Sequence, residues 1–485
     1  MRTLATWLGY GAMIFIAMGV AFVVYEVAIF ATYEQREDAE SLDRKQRELD
    51  RMASHVDRAA VRPNVVLILF DDLGFGDLGS YGNTSLETPR LDALAAEGIA
   101  FDHYYAPATV CSPSRAGLLT GRWPIRTTLT RVVFPTGSPL DATLRVAGAP
   151  VRLPADEITI AEGLRAGGYA TGFVGKWHLG DHEPSLPHNF GFDRWMGLLY
   201  SNDMVPLPLW RDNEIIEADP VDQTTLTQHY TDEAIDFIEE QKDGPFFLYL
   251  AHTFPHIPLY SSDEQSGKSD AGLYGDVMAD LDASTGAIVD ALDRLSLADN
   301  TIVIVTSDNG PWFQGSAGNV RGRKGETFEG GMRVPFFVRW PSHIAPGQRS
   351  SDVAAGIDVF PTLLRLAGVP IPGDRIVDGV DLMPLFTGGA PLEDRPIFYF
   401  AWNTLEAMRV GRFKWQARRG IVYPEIQLGY FAIRIPKGPW LFDLENDPDE
   451  SFDVHERHPE VFARLAQQAE EFRSEITENQ RGWRH

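Results

Sequence analysis

The sequence predicts an α/β protein with a large mixed, mostly parallel sheet sandwiched by helices, a smaller C-terminal α+β subdomain and an N-terminal transmembrane helix. Three observations predict it. Runs of strand length that are apolar at every position recur between helix-like segments, as expected of strands buried on both faces. Polar residues gather just past the carboxyl ends of those runs, where open α/β sheets place their functional groups. The chain also begins with an uncharged stretch long enough to cross a bilayer.

The elements follow in order. Trp7 to Tyr25 is uncharged and mostly apolar, and Val27 to Ala31 extends it past Glu26. It has no small-residue cleavage site, so residues 1–33 read as an uncleaved membrane anchor. Arg2 precedes the span while Arg36, Arg44, Lys45 and Arg47 follow it. A count of flanking positive charges thus points the catalytic part toward the cytoplasm. Residues 34–61 are dense in charge, with Leu42, Leu49 and Val56 at heptad spacing, and read as a solvated linker helix.

The main folded unit spans residues 62–389. Its strand-like runs are Val65 to Phe70, Thr171 to Gly175, Pro245 to Leu250 and Thr301 to Thr306, with helix-like segments at Ile160 to Gly167 and Leu226 to Glu240. The polar ends are Asp71-Asp72, Lys176-Trp177-His178, His252 with His256, and Ser307-Asp308-Asn309. Residues 390–485 form the subdomain, with strands at Ile397 to Ala401, Ala407 to Trp415 and Trp440 to Leu444 and a helix from Pro459 to Ile476.

Composition narrows the function. Against 68 acidic residues stand 43 basic ones, a net charge of −25 over 485 residues. Such a surface repels phosphate backbones, and no basic stripe interrupts it, so nucleic acid is excluded as a partner. An anionic small substrate would need a local cluster of cations.

Cys111 is the single cysteine, which rules out an intramolecular disulfide and a four-cysteine zinc site. Asp71, Asp72, Asp308 and Asn309 offer only oxygen donors, a set that suits Ca2+ or Mg2+ better than zinc. Arg115 follows Cys111 by four residues, so on a helix the two side chains share a face, and the helix amino end favours anions. Lys176 and His178 alternate and emerge on one side of an extended segment. His252 reads as structural, and the Pro-His-x-Pro context singles out His256.

The run Cys111-Ser-Pro-Ser-Arg115, followed by Leu119-Thr-Gly-Arg122, resembles the signature of the sulfatase family. Gly175-Lys-Trp-His-Leu-Gly180, Pro255-His256-Ile-Pro258 and the glycine-rich loop around Lys324 resemble further family motifs, and Leu441 to Pro448 resembles its C-terminal pattern. The resemblance covers about Pro63 to Pro346 and lies nearest to arylsulfatase A-like enzymes. It implies that a formylglycine-generating enzyme converts Cys111 to a formylglycine aldehyde. It implies one divalent cation, Ca2+ ahead of Mg2+, held by Asp71, Asp72, Asp308, Asn309 and the oxygen derived from Cys111. Lys176 and Lys324 would bind sulfate, Arg115 would offset charge on the transferring group, His178 would hold the nucleophile's hydroxyl, and Ser201 would lie close to it. His256 would protonate the leaving alcohol.

The activity implied is hydrolysis of a sulfate monoester of an aromatic or carbohydrate alcohol. Two alternatives stand beside it: a phosphonate or phosphate monoester hydrolase of the same superfamily, and a non-catalytic membrane-tethered anion-binding protein. Family resemblance, rather than the flanking charges, places the catalytic part outside the cytoplasm.

Overall fold

The protein is described by a computed structural model covering residues 35, 37–421, 433–435 and 438–484. Ten strands make one sheet: β1 (Asn64–Phe70), β2 (Ile99–Tyr105), β3 (Ala170–Lys176), β4 (Arg194–Leu198), β5 (Leu209–Arg211), β6 (Glu214–Glu217), β7 (Phe246–Ala251), β8 (Thr301–Ser307), β9 (Phe336–Arg339) and β10 (Gln348–Ala355). Their spatial order is β10-β2-β9-β8-β1-β7-β3-β4-β5-β6. The stretch from β8 to β4 is parallel throughout, as is the β10–β2 pair. Strand β9 runs antiparallel between β8 and β2, and the β5–β6 hairpin closes the far edge.

Strand β1 shows why the central runs are apolar at every position. Val65, Leu67 and Leu69 point into one core with Leu119, Ile160, Leu164 and Phe360, while Val66, Ile68 and Phe70 point into a second core with Leu226, Phe237, Leu281 and Ile288. Helices cover both faces, so no position of the strand meets water.

A smaller antiparallel sheet follows: β11 (Ile397–Ala401), β12 (Thr404–Val410), β13 (Phe413–Gln416) and, after the two-stranded β14 (Arg419–Ile421) and β15 (Ile433–Ile435), β16 (Trp440–Asp443). The single strand expected over Ala407 to Trp415 is two strands, because Gly411, at φ 55°, turns the chain between them. The helix Pro459–Glu478 buries Leu465, Ala469 and Phe472 in a third core. That core also holds Tyr105, Trp123 and Met332, so the small sheet is packed onto the large one through apolar contact.

Two N-terminal expectations change. Among the described residues no helix is long and apolar enough to cross a membrane, and the Trp7 to Ala31 span lies outside them. The membrane-anchored, extracytoplasmic placement is therefore withdrawn. The charged segment is helical over Ala39–Ser54, capped by the Asp38 carboxylate on Ser41 N, but it is docked rather than solvated. Lys45 pairs with Glu162 at 2.6 Å, Glu48 accepts from Gly373 N at 2.6 Å, and Met52 is fully buried. Of the heptad positions, Leu49 and Val56 pack on the main core while Leu42 faces solvent.

Candidate active site at the carboxyl ends of the central strands

Strand register brings the site together. Phe70 lies beside Ser307, and Leu69 and Gly175 both pair with Ala251, so Asp71-Asp72, Asp308-Asn309, Lys176 and His252 leave their strands at one level. The ladder continues one step past the strands, with Asp308 N donating to Phe70 O at 3.0 Å and His252 N to Leu69 O at 2.8 Å. Gly175 permits the close approach next to Lys176: a Cβ there would stand 1.8 Å from Ala251 O.

Cys111 is the first residue of the helix Cys111–Thr120, whose cap residue Val110 supplies no side-chain acceptor. Its Sγ is 3.4 Å from Asp71 Oδ1 and 3.3 Å from Lys324 Nζ. Three carboxylates and three cations surround it, all buried. Lys176 Nζ donates to Asp71 Oδ2 and, at 3.0 Å, to Ser201 Oγ. Lys324 Nζ meets Asp72 Oδ1 at 2.8 Å. Arg115 reaches Asp308 Oδ2 through Nε and Nη2, both at 2.9 Å, and Asp71 Oδ2 at 3.4 Å.

The histidines are oriented by their neighbours. His256 Nδ1 lies 3.0 Å from Asn202 Oδ1 and close to Ile257 O, two acceptors that fix the proton on Nδ1. Nε2 therefore faces the cluster, 3.9 Å from Asp72 Oδ2. His178 Nε2 donates to Val133 O at 3.1 Å, and Val133 N in turn donates to the Oγ of Ser112, the residue after Cys111. His178 Nδ1 is buried without a hydrogen-bond partner, a free proton acceptor. His252 stacks on Phe70 with its rings 5.4 Å apart and contributes no group to the cluster, in line with its structural reading.

Electrostatics follow from burial and pairing. Burial alone would raise the Asp71 carboxyl, but Lys176, with Arg115 and Lys324, holds it far below the usual carboxylate range. Burial and Asp71 push Asp308 up to about 7 against the pull of Arg115, and the Arg115 guanidinium stays charged. Burial and Asp71 raise the Cys111 thiol, so as a plain cysteine it stays protonated and is a poor nucleophile. Burial, Lys176 and Arg115 keep His178 neutral; burial and Lys324 lower His256, with Asp72 opposing.

The donors could hold a metal ion. Asp71, Asp72, Cys111 and His256 each bring a ligand-capable atom within 4.8 Å of the others. Asp308 and Asn309 adjoin this group through Asp72, whose N donates to Asp308 Oδ1 at 3.3 Å and whose Oδ1 accepts from Asn309 Nδ2 at 2.7 Å. Asn309 Oδ1 is buried with no hydrogen-bond partner, and a cation ligand is one way such an acceptor is satisfied.

Every residue singled out in the sequence thus reaches this one pocket except His252. Two residues were missed. Asn202 fixes the tautomer of His256, and burial of the neighbouring Asp203 is outweighed by His256 and Lys176, which hold its carboxyl below the usual range. Both directly follow Ser201 in the chain.

A family model described as Sulfatase matches residues 63–369, and one described as N-sulphoglucosamine sulphohydrolase, C-terminal, matches residues 323–475. The chain belongs to the sulfatase family. It is a hydrolase of sulfuric ester bonds. The rat (Rattus norvegicus) N-acetylgalactosamine-6-sulfatase is 40% identical over 432 residues, which span 80% of this sulfatase and 81% of the rat protein. Bovine (Bos taurus) arylsulfatase A is 38% identical over 83% of this chain and 85% of its own. A solved structure titled for metabolism of multiple glycosaminoglycans by Bacteroides thetaiotaomicron superposes with a TM-score of 0.75 at 29% identity, covering 86% of this sulfatase and 100% of that chain.

Proposed function

We propose that this sulfatase removes sulfate from a carbohydrate, using formylglycine made from Cys111 by a formylglycine-generating enzyme and one divalent cation held by Asp71, Asp72, Asp308 and Asn309. The observation that carries the reading is the position of Cys111 Sγ. It stands at a helix amino end, between Asp71 and Lys324, within a buried cluster of three carboxylates and three cations. Ca2+ is the preferred ion because the donors are oxygens of mixed type, and Mg2+ is the runner-up. When bound, the ion supplies Lewis-acid polarisation and offsets charge on the sulfate oxygens.

The chain's own groups have separable tasks. Arg115, Lys176 and Lys324 offset the charge that builds on the transferring group, which supplies the local field that an acidic protein otherwise lacks. Ser201 orients Lys176 through the 3.0 Å bond to its Nζ. His256 faces the cluster through Nε2, which gives a proton to the leaving alcohol from the charged imidazolium, while its Nδ1 proton is held by Asn202. His178 offers Nδ1 as the acceptor for a proton from the converted residue 111. Catalysis belongs to residues 62–389; residues 390–485 back the loop that carries Lys324, Glu450 accepting from Glu329 N at 2.7 Å.

A carbohydrate is preferred to an aryl ester because the curated relative at 40% identity is named for N-acetylgalactosamine 6-sulfate. The test is sulfate release by protein co-produced with the converting enzyme, supplied with N-acetylgalactosamine 6-sulfate, an aryl sulfate and a phosphonate monoester. The expected result is preference for the sugar sulfate, loss with chelator and recovery with Ca2+. Turnover of the phosphonate alone, or activity surviving Cys111→Ala, would refute the reading.

A further inference from the structure

His178 leaves strand β3 in a conformation that the chain around it must impose. Its φ is 60°, in the left-handed region, which a residue with a side chain occupies at a cost and keeps only where neighbouring contacts fix it. The backbone there is fixed by the end of β4: Trp177 N donates to Leu198 O at 2.9 Å and His178 N to Leu199 O at 3.1 Å. The imidazole is fixed by a different segment. Its Nε2 donates to Val133 O at 3.1 Å, so the place of that one carbonyl decides which ring nitrogen carries the proton.

Residues 131–136 form neither helix nor strand, so Val133 O has no ladder to hold it. Side chains hold the segment instead, from two sides. Ser112 Oγ accepts from Val133 N at 3.1 Å. Asp181, three residues beyond His178, accepts from Thr136 N at 2.9 Å through Oδ2 and from Thr136 Oγ1 at 2.7 Å through Oδ1. The His178 stretch and the Val133 segment are thereby joined twice, once through the imidazole and once through this carboxylate. Tyr200 completes the brace: its ring stands edge-on to His178 with centres 6.2 Å apart, and its hydroxyl interacts with the same Asp181. The half-exposed His182 places Nδ1 2.6 Å from Asp181 Oδ1. Among the described residues Asp181 bonds to none of the charged groups around Cys111, so its effect on the site runs through His178.

We propose that Asp181 is a positioning residue for His178: by pinning Thr136 it sets the Val133 carbonyl on Nε2 and keeps Nδ1 bare as the proton acceptor. Asp181 lies one residue past the Gly175 to Gly180 run and belongs to none of the sequence motifs described above. The proposal rests on the reading of His178 as the acceptor for a proton from the converted residue 111.

The test reads the tautomer directly, by nitrogen NMR of Cys111→Ala protein labelled with nitrogen-15 at histidine, the His178 signals being assigned by their loss in His178→Asn. With Asp181 present the proton is expected on Nε2 and Nδ1 bare. Adding Asp181→Ala is expected to populate the other tautomer and move the Nδ1 resonance toward the protonated range. In converted enzyme, Asp181→Ala should lower kcat about tenfold with KM little changed, the size that loss of a histidine-orienting partner has at other sites. Asp181→Asn, which keeps an acceptor for Thr136 N, should recover most of that loss. A His178 spectrum unchanged by Asp181→Ala overturns the proposal whether or not the protein turns over a sulfate ester. So does a loss confined to KM, which would make Asp181 a substrate contact, or a shifted tautomer that leaves kcat of an active enzyme untouched. A shifted tautomer supports the proposal even if protein with its natural Cys111 releases no sulfate. Should Asp181→Ala fail to fold, Thr136→Val, which removes one hydroxyl bond at an exposed residue, is read by the same spectrum with the same outcomes.

Discussion

Two clusters of buried charge lie on either side of the loop that carries Lys324, and they are built differently. Around Cys111, Asp71, Asp72 and Asp308 face Arg115, Lys176 and Lys324, and buried acceptors are left over at Asn309 Oδ1 and His178 Nδ1. Behind the loop, Glu329 accepts from Tyr105 at 2.5 Å, from Tyr399 at 2.7 Å and from Lys414 at 3.2 Å, while Glu450 pairs with Lys414 at 2.8 Å. Arg409 closes that cluster at 3.6 Å from Glu329. The second cluster recruits aromatic hydroxyls and joins the large sheet to the small one. The first converges on a reactive side chain at a helix end. Buried charge by itself does not mark an active site, nor does a leftover acceptor, since Glu450 Oε1 in the second cluster is one as well; convergence of the charges on a single side chain at a helix end does.

Breaking the first cluster at its centre should have the largest effect. Cys111→Ser removes the thiol that the proposed conversion to formylglycine uses, and turnover should fall on the order of 10⁴-fold or more, with the thermal unfolding midpoint little changed. The second cluster should answer in the opposite currency. Lys414→Met leaves Glu329 and Glu450 facing each other without their shared cation, which should cost about 3–5 kcal/mol of stability, read by denaturant unfolding. Lys324→Gln, next in size, should lower kcat/KM by about 10²–10³-fold while shifting stability less than Lys414→Met does. If Lys324→Gln proved the more damaging to stability, the contrast between the clusters would fail.

The smallest effect sharpens the comparison through pH. Burial and Glu329 raise the Glu450 carboxyl to about 7 despite Lys414, above its value in the unfolded chain. A raised folded-state pKa contributes stability that is complete below the unfolded value, near pH 4.5, and is lost as pH rises through about 7. Glu450→Gln should therefore flatten the decline of the unfolding midpoint between pH 5 and pH 8, and an undiminished slope in the variant would assign the decline to another group.

How far the sequence foretold this follows from burial and distance along the chain. Strands β1, β3, β7 and β8 were legible because both of their faces are buried and their central residues are apolar. Strand β10, Gln348–Ala355, was not: it lies at the sheet edge, alternates exposure and carries polar residues. The Cys111 cluster was legible because its members stand in short motifs, most of them at a strand or helix end and Lys324 in a glycine-rich loop. The Glu329 cluster was not, since its members come from separate segments and meet only when the two sheets pack. The Ala39–Ser54 helix was read as solvated because its charges are dense, yet Lys45 and Glu48 are among its buried residues, each satisfied by the catalytic unit.

The account turns on whether Cys111 is a precursor rather than a final side chain, so the most direct measurement is the mass of the Cys111 peptide in protein that is turning over a sulfate ester. The account predicts replacement of the thiol by an aldehyde in the active fraction. Full activity from protein whose Cys111 is an unmodified thiol would contradict it.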